Sequence, residues 1–152
     1  MSNMKIPKEI KLAKQKFTDK YPIPNGISDC ARYGVNAATG RAHLYTLGSA
    51  HQDIRSYWIE QLITIGEKYK EQQTLDTFKS DILSLKELMN SKFPGRFING
   101  HSDFDNEFRI AHAQKSLSIF LKHMWCNNLI TVLPPVCPID GVILKYCGSN
   151  DA

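Results

Sequence analysis

Three stretches of this chain repeat apolar residues every three or four positions, and that spacing constrains the fold more than any other feature. Ile54, Trp58, Leu62, Ile65 and Tyr69 form one stripe. Leu75, Phe78, Ile82, Leu85, Leu88 and Met89 form a second, and Ile110, Ala113, Leu117, Phe120, Leu121 and Met124 a third. At the helical repeat each set falls on one side of a helix, and a helix with one apolar side must bury it against another element. Thr74 stands where an N-cap is needed ahead of Leu75, and Pro94-Gly95 closes the helix that begins there. We therefore expect long helices over residues 52–72, 75–92 and 103–127, with Ser49-Ala50-His51-Gln52 as a capping box ahead of the first.

A shorter helix is expected over residues 7–20, with Ile6, Ile10, Ala13 and Phe17 turned inward, and another over residues 27–38, capped by Ser28 or Asp29. Tyr21-Pro22-Ile23-Pro24-Asn25-Gly26 separates the two. Residues 42–47 read as a short strand. Residues 129–133 and 142–146 are β-prone runs around a proline-rich connection, which gives either a small hairpin or an extended tail. The expected fold is mainly α: a single-domain helical bundle over residues 1–152, with a short extended or β-hairpin C-terminal segment. No apolar run reaches the roughly 18 residues that a membrane span takes, so the chain reads as cytoplasmic with no membrane partner.

The formal net charge is +4, and its placement says more than its size. Lys5, Lys8, Lys11, Lys14, Lys16 and Lys20, set against Glu9 and Asp19, hold that whole excess within the first twenty residues. Such an arm either forms the solvent side of the first helix or lies along nucleic-acid phosphates, where each neutralised phosphate releases counterions. Lys8, Lys11 and Lys16 are the candidate nucleic-acid-binding residues. Cys30, Cys126, Cys137 and Cys147 contain no CxxC pair. His123 with Cys126, Cys137 and Cys147 is the one combination of ligand types, and its spacing matches no zinc motif. No metal and no cofactor is expected, and the thiols read as small apolar core residues.

Glycine-rich phosphate loops, HExxH, GxSxG and EF-hand patterns are all missing. What remains is the polar side of the third long helix, where Asp105, Arg109, His112, Ser116, His123 and Asn127 fall within an arc of ~60° at ~100° per residue. Asp105 is placed to pair with Arg109 one turn on. Arg109 and His112 emerge on adjacent turns and can converge on one anion. A histidine supplies an acid or base near neutral pH, and an arginine stabilises an oxyanion on phosphorus, which together suit metal-independent cleavage of RNA by its 2′-hydroxyl. The same arc also suits a solvated or partner-docking face, with Trp125 at its margin leading into an interface.

A second Arg–His pair lies in Arg96-Phe97-Ile98-Asn99-Gly100-His101, within a stretch that Pro94, Gly95 and Gly100 make loop-like. These six residues are similar to the Arg-x4-6-His element of HEPN-type ribonucleases, small helical proteins often found in toxin and phage-defence systems. The resemblance implies catalytic roles for Arg96 and His101. Two functional expectations follow. One is a small cytoplasmic protein of bacterial or phage-defence type that engages RNA or DNA, as a metal-independent HEPN-like ribonuclease using Arg109 and His112 or Arg96 and His101. The other is a non-catalytic protein-interaction module or inhibitor docking through a polar helix face. The partner is accordingly nucleic acid, another protein, or a second copy of the chain in a homodimer.

Overall fold

Each helix starts and stops where local chemistry allows it. The computed structural model describes residues 8–39, 51–97 and 107–135, and these contain five α-helices. In α1 (Lys8–Lys20), Ile10 is buried and Phe17 packs half-buried against the core. The helix closes with the Tyr21 N–H on the Phe17 carbonyl at 2.9 Å, just before Pro22 removes the next donor. Gly26 sits at φ +66°, the left-handed region that glycine enters without strain, and its carbonyl accepts the first bonds of α2 (Ile27–Thr39). Neither Ser28 nor Asp29 is the cap residue, contrary to expectation, because the helix has already begun. Instead, the Asp29 carboxylate reaches back past Gly26 to accept the Asn25 N–H at 2.8 Å, which pins the turn that leads into the helix. That bond, helped by Arg32, holds the Asp29 carboxyl below the usual range.

The next expected helix is shorter than its apolar stripe. α3 (His51–Gly66) tightens at Glu67–Lys70 into a single 3-10 turn. There the Lys68 ammonium and the Tyr69 hydroxyl both donate to the buried Asp81 carboxylate at 2.7 Å, which ties the turn to the next helix. α4 spans Leu75–Lys92 as expected, with the Thr74 hydroxyl accepting the Thr77 N–H at 3.1 Å. Beyond it Gly95 turns the chain at φ +70°.

The third long helix starts later than its periodicity predicts. α5 is Ile110–Cys126, and residues 107–109 are not helical. The reason lies in Asn90 of α4. Its side chain accepts the Phe108 N–H at 2.7 Å and donates to the Phe108 carbonyl at 3.0 Å, so both backbone groups that a helix would use are already engaged. The Phe108 ring is then buried edge-on against Trp58, 4.8 Å between centroids.

α5 is the centre of the bundle and touches α1, α2, α3 and α4. Its closest neighbour is α2, for which Gly34 is required: a Cβ there would stand 2.5 Å from the Ser116 carbonyl oxygen and 3.2 Å from the Phe120 Cβ. On the α3 side, a Cβ at Gly66 would meet the Phe120 ring at 2.8 Å. Trp58, Leu62, Leu117, Phe120 and Met124 fill the space between, each fully buried or nearly so. Burying a side chain of this size contributes about 1.5–3 kcal/mol.

Several expectations are corrected by this packing. Leu75 and Ile110 were assigned inward positions, yet they are 48% and 47% exposed, and Leu88 is also exposed. Leu129–Leu133 form no strand: the Leu129 N–H bonds the Met124 carbonyl at 2.8 Å, Asn128 turns at φ +60°, and Ile130 folds back into the core. The proposed strand at 42–47, the run at 142–146, Ile6, and Ser49 and Ala50 of the capping box lie outside the described residues. Among the described residues, no helix is long and apolar enough to cross a membrane.

Candidate functional site

The N-terminal end of α5 carries Arg109 and His112. Arg109 is the N-cap, extended at φ −99° and ψ 161°, and its backbone N–H donates to His112 Nδ1 at 3.1 Å. A guanidinium has no acceptor to return the bond, so the imidazole alone closes this helix start. With Nδ1 accepting, the neutral ring carries its proton on Nε2. Burial, followed by the Arg109 charge, lowers the His112 pKa and favours that neutral form at pH 7. Nε2–H is then the donor left to the ring, on a half-buried residue next to the exposed Arg109. Base catalysis would call for the other tautomer and the loss of the cap.

Arg96 is exposed just beyond α4 and belongs to the same end of the molecule, since the neighbouring Phe97 packs on Phe108 at 5.2 Å. His101 and Asp105 lie outside the described residues. The expected polar arc of α5 is not a solvent face. Ser116 is completely buried, accepting the Trp58 Nε1–H at 3.0 Å and donating to the Ala113 carbonyl at 3.1 Å. His123 is 3% exposed, and Trp125, read as an interface residue, is buried as well.

The lysine arm divides. Lys8, Lys11 and Lys16 are exposed on α1, whereas Lys14 is buried. The Lys14 ammonium donates to Asn128 Oδ1 at 2.9 Å and stands 4.2 Å from the centre of the Trp125 ring. Burial lowers its pKa. Lys14 is thus a tie between α1 and the end of α5, and it is not part of a solvent-facing row.

Sequence reasoning missed what Lys16 stands beside. Lys16 and Lys20 of α1 and Lys122 of α5 border a cavity of about 580 Å³ whose wall includes Phe17 and Tyr21, with the Glu9 carboxylate at its rim. The Lys122 ammonium lies 4.6 Å over the Phe17 ring and that of Lys20 lies 5.4 Å over Tyr21. Phe17, Tyr21 and Lys122 also belong to an adjoining open cavity of about 360 Å³, lined on its other sides by Tyr33, Asn36 and His123. There the Tyr33 ring stacks on His123, with centroids 4.5 Å apart and planes 16° from parallel, while Phe17 and Tyr21 meet the imidazole at 4.6 and 5.5 Å.

His123 Nδ1 is buried and has no hydrogen-bond partner among the described residues. A buried polar atom left so costs about 1–3 kcal/mol. Burial, with the adjacent Lys122 charge, pulls the His123 pKa down to about 4, so the ring is neutral at pH 7. The signal in the sequence was the recurrence of Phe17, Tyr21 and Tyr33 among cations. It is legible only once α1, α2 and α5 are known to meet.

Cys30 and Cys126 are buried thiols, and burial, then the Asp29 charge, pushes Cys30 up to about 12, far from thiolate chemistry. Cys137 and Cys147 lie outside the described residues. Among the described residues, no three His, Cys, Asp or Glu side chains stand together as a metal-holding group. Comparison with protein-family models, with curated proteins and with solved structures finds no match.

Proposed function

We propose that this is a cytoplasmic protein that engages single-stranded nucleic acid along α1 and the adjoining part of α5. The observation that carries the reading is the cavity where Lys16, Lys20 and Lys122 surround Phe17 and Tyr21. Cationic groups that track a phosphate backbone, interleaved with aromatic faces on which bases stack, are the combination used for single strands. Lys8 and Lys11 extend the charge along the exposed side of α1. RNA cleavage is the stronger form of the proposal, with Arg109 and His112 as the catalytic pair, in the phage-defence setting implied by the resemblance at Arg96–His101.

Fluorescence anisotropy with labelled RNA and DNA oligonucleotides tests the binding. Affinity should fall steeply with salt. Reversing Lys8, Lys11 and Lys16 to Glu should flatten the slope of log K against log salt by about 2, at roughly 0.7 per phosphate contact on single strands. Salt-independent binding, or none, overturns the proposal. Cleavage in EDTA that disappears in His112→Ala supports the stronger form, and intact RNA after prolonged incubation removes it.

The protein-docking reading has its own observation, though not the polar face expected. Leu75, Leu83 and Ile110 are exposed around an apolar groove of about 300 Å³ between α4 and α5. A protein partner whose binding is lost in Leu83→Glu, with no oligonucleotide binding, would select it.

A further inference from the structure

We propose that the open cavity lined by Phe17, Tyr21, Tyr33, Asn36, Ile119 and His123 is the seat of the planar base of one nucleotide. This rests in part on the nucleic-acid reading, since it gives the neighbouring lysines the phosphate. The volume of about 360 Å³ falls within the roughly 300–1,000 Å³ of small-molecule sites. The walls are of the right kind. Phe17, Tyr21 and Tyr33 present aromatic faces and edges gathered round His123, and bases stack on such rings whatever their sequence.

Two observations favour a base over a plain hydrocarbon ring. The first is the unpartnered Nδ1 of His123, 97 parts in a hundred of whose residue surface is hidden, as its 3% exposure states. Nδ1 itself is covered, so a turn of the ring toward the cavity is what lets an occupant with a polar edge supply the partner missing among the described residues, and a hydrocarbon offers nothing for that turn. The second is Asn36, a side-chain amide on the wall whose Oδ1 is held by the Arg55 guanidinium. The charge beside the seat is also suitable: Lys122 borders both cavities, and Lys16 and Lys20 lie across Phe17 and Tyr21 from it. A base in this cavity therefore leaves its phosphate toward the Lys16, Lys20 and Lys122 ammonium groups, and among the described residues lining the two cavities Glu9 is the carboxylate that opposes them.

The same chemistry belongs to a free nucleotide and to one base of a strand, and the experiment separates them. The full chain, labelled at histidine, is titrated with 5′-AMP, with ribose 5-phosphate, and with a short oligoadenylate while the imidazole resonances are followed. The proposal expects 5′-AMP to bind roughly ten- to a hundredfold more tightly than ribose 5-phosphate, the share that stacking supplies, and to move the His123 resonance. Tyr33→Leu should lose that advantage while still binding oligoadenylate in a salt-dependent way. Its melting temperature shows whether it is folded, and the wild-type resonances decide the matter if it is not.

Equal affinities for 5′-AMP and ribose 5-phosphate, or a His123 resonance that no ligand moves, overturn the seat. If oligoadenylate binds through the lysines without moving His123, the seat falls and the strand-binding reading stands. If 5′-AMP moves His123 but oligoadenylate does not bind, the seat stands as a free-nucleotide site and the strand-binding reading falls.

Discussion

The two histidines of α5 that sequence periodicity places on one face have opposite environments. His112, in the first turn and half-buried, uses Nδ1 to close the helix start next to the exposed Arg109. His123, in the last turn, is buried among Tyr33, Phe17 and Tyr21 with Nδ1 unpartnered. One is a structural cap, and the other lacks a hydrogen-bond partner on Nδ1 among the described residues and sits against three aromatic rings. A ring nitrogen already engaged with the backbone is part of the fold. One left unengaged and covered has no such structural role, and the proposed base seat lies beside it.

The largest expected effect is on acid stability and isolates the buried ring. The folded pKa of His123 is about 4 against an unfolded value of 6.5, so in the window between them the unfolded chain binds a proton that the folded chain does not. Stability therefore falls as pH drops through that window, by about 3 kcal/mol in all from this group. The groups facing it are Lys122, Phe17, Tyr21 and Tyr33, with Lys20 over Tyr21, so protonation gains no compensating carboxylate among these contacts. Urea unfolding of wild type and His123→Leu from pH 7 to pH 4 should show the variant losing less. Parallel curves would assign the acid sensitivity elsewhere.

Gly34→Ala tests what holds Tyr33 against His123. The added methyl meets the Ser116 carbonyl at 2.5 Å, and overpacking outweighs the gain in helix propensity, for a net loss of about 2 kcal/mol in thermal unfolding. An unchanged melting temperature would mean that α2 and α5 sit farther apart than described.

Midway between the two histidines, Ser116→Ala strands the buried Trp58 N–H and should cost about 1.5 kcal/mol, with a shift in tryptophan emission. His112→Ala removes the cap of α5 and should cost about 1 kcal/mol of stability without altering 5′-AMP binding. Loss of nucleotide binding in that variant would erase the distinction between the two ends.

Much of the fold was legible because its determinants are local. The Thr74 hydroxyl, the Pro94-Gly95 break and the spacing from Leu75 to Met89 place α4 at its observed limits. The start of α5 was not legible, since the residue that prevents helix at Phe108 is Asn90, on another helix. Lys14 was misplaced for the same reason. Nothing in the α1 sequence announces that Asn128 and Trp125 will lie beneath it.

The sequence by itself determined where this chain can be helical and which stripes must be hidden, because capping, proline and glycine breaks and apolar spacing act within a few residues of one another. Tertiary structure alone decided what the polar stripe of α5 became. A helix at the edge of a bundle gives its polar side to water, but α5 contacts four helices and leaves Ala111, Gln114 and Lys115 to solvent instead, while Gly34 lets α2 approach closely enough to cover Ser116. Periodicity records which residues share a face, and only the neighbours determine whether that face meets solvent, a hydrogen-bond partner or an empty pocket.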